Sequence, residues 1–344
     1  MTDRCGHSTS TGNQWALYGG AGFIGQHLAR SILDRWPQGH VHLLDIQHPS
    51  AIRWKLPLEG FVDTSRLHIR QCDVRDADSL RQNAAGFDVI VNLAAIHREP
   101  GHKPEEYFAT NVAGARNVCR LAEEVGCREI LFTSSISVYG VHDRPVDEDS
   151  AVQPRTPYGQ SKHQAEQIHL DWARRSGGRL AVIRPGVVFG AGEQGNVTRL
   201  VAEMLKRHRA IRVQPDQPKA GIYIEELIDI MHWLRQQPVA VGESQWVNGV
   251  SRELLTFNAF ADVLQALHGW TRPALHVPGS VLGALVAVMN PLAGLFPAGS
   301  RIHPQRLGKL LSANDVRPRA LTTMGYPFRW PLERALADWL AKGL

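Results

Sequence analysis

The sequence is poor in cysteine and has no extended block of basic residues. Its four cysteines form no CxxC pair and share no metal-ligand spacing with histidine, so no metal site is predicted. Such thiols are typical of a reducing compartment, and we expect a cytoplasmic protein. The formal net charge is +5, but no run of five Lys or Arg residues occurs, so nucleic-acid binding is not predicted. The positive surplus fits an anionic small molecule or an ordinary solvated surface.

Long uninterrupted hydrophobic runs are also missing. Residues 1–13 are polar, lack the apolar centre of a secretory signal and are expected to be a disordered tail. The most apolar stretch, residues 277–296, is broken by Gly and Pro, and its unbroken part, 281–289, is too short to cross a bilayer. We therefore predict no transmembrane span. Three interpretations stay open: a helical hairpin packed on a smaller lobe, a hydrophobic lid, or contact with a membrane surface or lipid substrate.

Short apolar runs alternate with amphipathic stretches through the first half of the chain. The predicted strands are 15–18, 41–45, 67–72, 89–93, 129–133 and 180–184, and the predicted helices are 23–36, 79–85, 111–126 and 158–176. Strands that alternate with long helices are typical of an α/β protein with a Rossmann-type, doubly wound parallel sheet.

After residue 185 the alternation becomes irregular. A helix at 197–208, a strand at 222–224 and a final amphipathic helix at 332–340 are predicted between Gly- and Pro-rich loops. We expect residues 14–184 with about 219–250 to form the dinucleotide-binding domain. Residues 185–218 with 251–344 would then form a smaller, C-terminal substrate-binding lobe.

A Gly-rich turn, GGAGFIG, joins the first predicted strand to the first helix. Gly19, Gly22 and Gly25, with Phe23 and Ile24 between them, would expose backbone N–H groups to a pyrophosphate at the helix N-terminus. Asp45 ends the second strand about 20 residues further on, where a carboxylate binds ribose hydroxyls. A carboxylate repels a 2′-phosphate and no Arg follows it, so NAD is favoured over NADP. The alternative is that Asp45 is only an exposed charge at a strand end.

Two further strand ends fit an adenine-and-ribose groove. Asp73 and Val74 follow the third strand, where the carboxylate could accept from the adenine amino group. Leu93, Ala94 and Ala95 end the fourth strand, and the small alanines would let the backbone approach the cofactor.

Tyr158 and Lys162 stand four residues apart, on one face of a predicted helix. The ammonium should favour the phenolate, lowering the pKa of Tyr158 so that it can exchange a proton with an alcohol or ketone. Ser135, at the end of the fifth strand, would hydrogen-bond the reacting oxygen, although hydroxyls there can also simply cap a turn.

Taken in order, the segments GGAGFIG, Asp45, CDV, NLAA, TNVAGARNV, FTSSISVYG, YGQSK and RPGVVFG closely resemble the extended short-chain dehydrogenases, the NAD-dependent epimerase/dehydratase family. The resemblance implies hydride transfer between a sugar carbon and the nicotinamide, with Ser135, Tyr158 and Lys162 as the catalytic set. It also implies NAD contacts from Asn111 and Pro185. The substrate-binding set that it implies is His97, Ser135, Asn196, Arg199 and Lys219, with Lys219 standing where the family usually has a phosphate-binding Arg. Asn196 is equally plausible as a helix N-cap.

Departures from the family pattern narrow the chemistry. The 4,6-dehydratases have acidic residues after the catalytic hydroxyl, where this chain has Ile136 and Ser137, so dehydration is not predicted. Val187 and Val188 replace the Asn with which many epimerases hold the diphosphate. The function predicted from the resemblance is therefore a nucleotide-sugar C4 epimerase or 4-keto reductase. A 3β-hydroxysteroid-dehydrogenase-like oxidation of a hydrophobic alcohol is the alternative, and a non-catalytic NAD sensor is a third. By analogy we expect a homodimer formed through helices at about 104–126 and 158–176.

Overall fold

A computed structural model describes residues 14–54, 64–99, 101–289 and 313–343. The tail predicted at residues 1–13 and the second half of the apolar stretch, 290–296, lie outside the described residues.

A seven-stranded parallel sheet forms the centre of the structure. Its strands are β1 Gln14–Tyr18, β2 His40–Asp45, β3 Leu67–Gln71, β4 Val89–Asn92, β5 Glu129–Thr133, β6 Arg179–Pro185 and β10 Ser244–Gly249. The order across the sheet is β10-β6-β5-β4-β1-β2-β3, which confirms the predicted doubly wound α/β fold. The strand order reverses between β1 and β4, where such sheets open a ligand crevice. The edge strand β10 was not predicted, because its sequence SQWVNG holds only two adjacent apolar residues.

Eleven α-helices are described. They are α1 Phe23–Arg35, α2 Ala77–Gln82, α3 Pro104–Tyr107, α4 Gly114–Glu124, α5 Pro157–Ser176, α6 Asn196–Arg207, α7 Ile224–Gln236, α8 Phe257–His268, α9 Gly279–Met289, α10 Arg319–Thr323 and α11 Leu332–Lys342. A π-helical turn, Phe108–Ala113, joins α3 to α4. The helix predicted to start at residue 111 therefore starts at 104, with Asn111 inside the π turn.

Alternation along β1 explains how both faces of the sheet are covered. Trp15 and Leu17 point into the core cluster that includes Leu28 of α1 and Leu227 of α7. Ala16 and Tyr18 point the other way, into the cluster that includes Val118 of α4 and Trp172 of α5. Helices α4 and α5 thus lie on one face, and α5 carries the predicted catalytic pair across the end of β5.

The irregular second half contributes two small parallel sheets. In one, β7 Val187–Phe189 pairs with β9 Gly221–Tyr223, and in the other β8 Ile211–Gln214 pairs with β11 Leu275–Pro278. The predicted strand at 222–224 is therefore found one residue earlier, and the predicted helix at 197–208 is α6.

Glu226 of α7 holds the C-terminal segment against the large sheet. Its buried carboxylate accepts hydrogen bonds from the Tyr326 hydroxyl (2.5 Å) and from the backbone N–H of Trp330 (2.8 Å). Residue 219 in turn bridges to Leu255 and to Asn314. The two halves of the chain are thus interleaved, and the predicted division at residues 185 and 251 stays a prediction.

The described part of the apolar stretch forms the end of β11 and the helix α9. Val281 and Val288 of α9 are 58% and 68% exposed, and the hairpin, lid and membrane interpretations all stay predictions. Among the described residues, no helix is both long and apolar enough to span a membrane.

Candidate active site

The Gly-rich turn is held tightly between the ends of β2 and β4. The N–H of Gly19 donates to the Leu44 carbonyl (2.8 Å), and Gly19 has φ +75°. A Cβ on Gly19 would lie 2.7 Å from the Ala94 backbone, and one on Gly25 would lie 2.6 Å from the Cα of Gly20. Only glycine fits at both positions. Helix α1 then begins at Phe23, and its N-cap residue Gly22 has no side chain that could cap it. The N–H groups of Phe23 and Ile24 lie in the first turn, where no intrahelical acceptor is available.

Asp45 is buried at the end of β2 and faces this turn. One carboxylate oxygen accepts from the Ala21 N–H (3.1 Å) and the other from the Gln47 N–H (3.0 Å). The interpretation of Asp45 as a merely exposed strand-end charge is therefore wrong. Its position beside the helix N-terminus is the one from which a carboxylate reaches the adenosine ribose.

Asp73 and Val74 follow β3, but each is already bonded. Arg75 forms an ion pair with both carboxylate oxygens of Asp73, with Nε 2.9 and 3.0 Å from Oδ1 and Oδ2. The Val74 carbonyl accepts from the Asn117 side chain (2.9 Å). An adenine amino group would share the Asp73 carboxylate with Arg75, and this contact stays a prediction.

The remaining strand-end residues line the same edge of the sheet. Leu93 donates its N–H to the Tyr18 carbonyl (2.9 Å), which places Leu93, Ala94 and Ala95 directly beside the Gly-rich turn. Pro185 ends β6 opposite Gly249 of β10 and is buried. Cofactor contact from these residues is a prediction that fits their position.

Ser135 and Tyr158 lie together at the end of β5. The Ser135 Oγ accepts from the Ser137 N–H (3.1 Å), so it does cap a short turn, and it also lies within interaction range of the Tyr158 phenol. Burial raises the pKa of Tyr158 to about 12, against the opposing effect of the Ser135 hydroxyl. The expectation that Lys162 lowers the pKa of Tyr158 is therefore not met in the protein alone, where desolvation of the phenol is the largest effect.

Lys162 is only 2% exposed, one turn after Tyr158 on α5. Its Nζ lies 4.5 Å from the centroid of the Phe132 ring, a cation–π contact. Burial lowers the pKa of Lys162 to about 7, although the charge of Glu166 acts in the opposite direction. A buried ammonium with three donors beside the reactive phenol is suited to the ribose hydroxyls of a nicotinamide nucleotide.

Asn111 connects the loop after β4 to α5. Its Oδ1 accepts from the Ile96 N–H (2.9 Å), and its Nδ2 donates to the Ile96 carbonyl (3.1 Å) and to the Ser161 Oγ (2.9 Å). Both of its donors are used by protein groups. These bonds make Asn111 a positioning residue for Tyr158 and Lys162, while direct contact with NAD stays a prediction.

Two side chains near Tyr158 were not predicted. The ring of Tyr107 lies 6.2 Å from that of Tyr158, and its hydroxyl donates to the Arg98 carbonyl (2.5 Å). Burial, and to a smaller extent the charge of Glu99, raises the pKa of both phenols. Desolvation in the cleft, with the charges of Arg98 and Lys162, lowers the pKa of the neighbouring His97. In the sequence, only the position of Glu99 in the loop after β4 and of Tyr107 in the following helix could have indicated these two residues.

A buried ion pair behind Lys162 was also missed. The Arg184 guanidinium donates to both oxygens of Glu166 (2.8 and 3.0 Å) and to the Tyr139 hydroxyl (2.9 Å). Although burial opposes ionisation, hydrogen bonds from His163 and Arg184 hold the pKa of Glu166 below its usual range. Arg184 precedes Pro185 at the end of β6, and a strand-end Arg gives no sequence signal of its buried partner.

Of the predicted substrate residues of the second half, Asn196 and Arg199 lie together on α6, and Lys219 lies before β9. Gly195, rather than Asn196, is the N-cap of α6, and Asn196 accepts from the Arg199 guanidinium (3.0 Å). The N-cap interpretation of Asn196 is therefore wrong. Lys219 stands before β9 with its Nζ 5.4 Å from the Phe257 ring centroid, and burial lowers the pKa of Lys219 to about 8.

The Gly-rich turn with Asp45, together with Ser135 after β5 and Tyr158 and Lys162 on α5, fits NAD. These features define an oxidoreductase of the short-chain dehydrogenase type. The chain belongs to the NAD dependent epimerase/dehydratase family, which it matches over residues 15–248.

Several known proteins are similar to this chain. The N-acetyl-alpha-D-glucosaminyl-diphospho-ditrans,octacis-undecaprenol 4-epimerase of Escherichia coli O157:H7 is 32% identical over 270 residues, covering 77% of this chain and 80% of the relative. The 3beta-hydroxysteroid-dehydrogenase/decarboxylase isoform 1 of Arabidopsis thaliana is 26% identical, covering 95% and 79%. The UDP-glucuronic acid 4-epimerase of Bacillus cereus, solved with UDP-glucuronic acid and NAD, superposes with a TM-score of 0.70 at 19% identity over 96% of this chain and 98% of that one.

These comparisons confirm the predicted family, fold, NAD cofactor and enzyme class. The roles of the individual site residues stay predictions.

Proposed function

We propose that this protein is an NAD-dependent 4-epimerase of a sugar carried on a diphosphate, with a nucleotide-sugar as the first candidate. The observation that supports this most directly is the grouping of Ser135, Tyr158 and Lys162 next to the NAD turn, followed by Ile136 and Ser137. Neither of the latter can provide the second acid that dehydration needs. Dehydration is therefore not expected, and the transfer of one hydride and one proton is the chemistry that these residues support.

Each residue of the site has its own role in the proposed epimerisation. NAD held at the Gly-rich turn and Asp45 would supply the hydride acceptor and donor. Tyr158 takes the proton of the sugar hydroxyl as the ketone forms, and returns it to the same oxygen after the ring has turned its other face to the cofactor. The Ser135 hydroxyl holds the reacting oxygen against the phenol, and Lys162 fixes the ribose and stabilises the phenolate. Because burial keeps Tyr158 protonated in the protein alone, the proposed mechanism requires that the charges of Lys162 and of a bound nicotinamide together lower its pKa.

A polyprenyl diphosphate is the second candidate carrier. The relative with 32% identity is named for an undecaprenyl diphosphate sugar, and the exposed apolar helix α9 suits a hydrophobic carrier. Val187 and Val188 also take the place of the Asn with which many nucleotide-sugar epimerases hold the diphosphate.

The other functions have less support. Oxidation of a hydrophobic alcohol relies on relatives of 26% and 24% identity. A non-catalytic NAD sensor would not need the Ser135, Tyr158 and Lys162 set. Net consumption of NADH distinguishes the two reactions, because a ketone reductase consumes NADH and an epimerase does not.

We also infer a homodimer in the cytoplasm. Helices α4 and α5 lie side by side and expose polar residues such as Arg120 and Gln164, an arrangement compatible with a polar four-helix interface. Cys72, Cys119 and Cys127 are buried free thiols, which suits a reducing compartment. Light scattering of the purified protein would measure the dimer mass.

The test is turnover of purified protein with NAD on matched substrates. UDP-N-acetylglucosamine and undecaprenyl diphosphate N-acetylglucosamine present the same sugar on the two carriers. We expect one of them to give a mixture of C4 epimers without net change in NADH. Consumption of one NADH per product from a 4-ketosugar, with no epimerisation, would instead identify a reductase.

Tyr158→Phe is the matched active-site variant, because it removes one hydroxyl and keeps the ring. We expect turnover to fall by about 10²–10⁴-fold while NAD still raises the thermal midpoint. Undiminished turnover in a variant that binds NAD would rule out the assigned role of Tyr158.

A further inference from the structure

Helix α9 presents an apolar face to solvent. Its sequence, GSVLGALVAVM, contains no charged residue. Val281, Ala284, Ala287 and Val288 are exposed and recur at the spacing of one helical face. A soluble protein usually buries such a face, so we expect a binding partner to cover this one.

The sequence around α9 is depleted of negative charge. Residues 263–314 contain no Asp or Glu, whereas the whole chain has 33 acidic residues among 344, about one in ten. Arg272 and Arg301 flank 28 residues that carry no Asp, Glu, Lys or Arg. An apolar stretch with basic flanks and no carboxylates is typical of segments that lie on anionic lipid surfaces.

The structure adds basic side chains from a second part of the chain. The segment 206–212, KRHRAIR, joins α6 to β8, which pairs with β11 in the register Arg212 to His276. Arg209 donates to the Pro273 carbonyl (2.5 Å) and Arg272 to the Arg207 carbonyl (3.4 Å). These contacts bring the two basic segments together on the small sheet from which α9 emerges.

Most of this positive charge is not neutralised within the described ranges. Arg207 pairs with Glu203 and Arg212 with Asp262. Lys206, Arg209 and Arg272 form no ion pair with any described residue. Together Lys206, Arg207, Arg209, Arg212 and Arg272 make up what we call the basic patch.

We propose that α9 and the basic patch form a docking surface for an anionic phospholipid bilayer. In this arrangement α9 lies in the plane of the membrane with its exposed valines at the boundary of headgroups and acyl chains. The basic patch contacts lipid phosphates beside it. Eleven residues of helix are too few to span the bilayer, so the contact is confined to the surface.

The docking surface lies close in the chain to the predicted phosphate-binding Lys219. Gly279, the first residue of α9, packs against Gln214 and Pro215 at the end of β8. Lys219 follows Gln214 by five residues, which span at most about 18 Å. A membrane at α9 would therefore sit near the diphosphate of a lipid-linked sugar. Binding to vesicles is nevertheless independent of the proposed function, since it is measured without substrate.

The experiment is cosedimentation of the full-length protein with vesicles of phosphatidylcholine alone or mixed with phosphatidylglycerol. We expect binding to the mixed vesicles, weakened by salt and at least about tenfold weaker on neutral ones. Val281→Asp with Val288→Asp should reduce binding to mixed vesicles by at least about tenfold, because two charges would enter the apolar boundary. Lys206→Gln with Arg272→Gln should weaken it and reduce its salt dependence.

Matched controls separate the surface from general effects. Val141 and Val241 are 86% and 87% exposed elsewhere, and Val141→Asp with Val241→Asp should bind like the unchanged protein. Arg144→Gln with Arg174→Gln removes two positive charges elsewhere and is the matched control for Lys206→Gln with Arg272→Gln. An unchanged NAD-induced shift of the thermal midpoint shows that each variant is folded.

Two results would overturn the proposal. One is that the unchanged protein binds neither vesicle type. If, in that case, the variant Val281→Asp with Val288→Asp has a lower oligomeric mass than the unchanged protein, α9 is a contact between copies of the chain. The other is equal loss of binding in the α9 variant and the Val141/Val241 control. Vesicle binding without epimerase activity would retain the docking surface and reject the proposed function.

Discussion

Asp45 is the side chain that should distinguish the two nicotinamide cofactors. It accepts the Ala21 N–H of the Gly-rich turn and leaves a negative charge where NADP carries its 2′-phosphate. We expect Asp45→Asn to keep the bond to the turn but bind NAD about tenfold more weakly and NADP more tightly. Titration of intrinsic fluorescence with each cofactor would measure both affinities. Equal weakening of the two would show that Asp45 only supports the turn.

Lys162 gives the site a pH dependence near neutrality. Burial lowers its pKa to about 7, so in the protein alone the ammonium is lost as the pH rises through that value. We expect NAD affinity to fall between pH 6.5 and 9, since the neutral amine donates fewer and weaker hydrogen bonds. Lys162→Met should bind weakly at every pH. An affinity that stays flat over this range in the unchanged protein would contradict the role of the ammonium.

Helix α5 depends on a pair that no sequence pattern indicated. Arg184 and Glu166 are both almost fully buried and bonded through two hydrogen bonds. Glu166→Gln would leave the Arg184 charge uncompensated, and we expect a loss of about 3–5 kcal/mol in the free energy of unfolding. Urea unfolding would measure it. Glu124→Gln on α4, which breaks an exposed pair with Arg81, is the control and should change little. A similar loss in both variants would show that burial of the pair has no special effect.

The helices and strands predicted best are those whose pattern is local. β1 through β6, α1 and α5 follow from apolar periodicity and from punctuation by Gly and Pro, and α5 has its cap at Thr156. Strands β7, β8, β10 and β11 were missed, because such short strands are stabilised mainly by their partners, whereas β9 was predicted one residue late. Asn111 shows the same limit, since its π turn depends on contacts with Ile96 and Ser161.

The molecule as a whole should lose stability in acid. Burial lowers the pKa of His42 and of His169 to about 4 and that of His232 to about 3. The unfolded chain binds these protons at about pH 6.5, so it is favoured as the pH falls below that value. The stabilisation of the folded state by these neutral histidines is complete above pH 6.5 and is lost as the pH falls to 4. It amounts to roughly 3 kcal/mol for each histidine whose pKa is lowered by two units.

Thermal midpoints between pH 7.5 and 4.5 would check this expectation. His169→Gln should lower the midpoint at neutral pH and flatten its dependence on pH. His48→Gln, at an exposed position, is the control and should retain the full dependence. An unchanged slope for His169→Gln would exclude His169 as a source of the acid sensitivity.

The sequence by itself determined the parallel sheet, the NAD turn and the alignment of Tyr158 with Lys162. Each depends on residues near one another in the chain, where spacing and backbone preference suffice. Only the tertiary structure decided how those groups ionise, because the pKa of Tyr158 and of Lys162 is set by burial under distant segments. It likewise decided that Glu166 meets Arg184, that Glu226 holds the C-terminal segment, and that α9 emerges beside the basic patch. These contacts join residues far apart in sequence, and their energies depend on the water that the fold excludes.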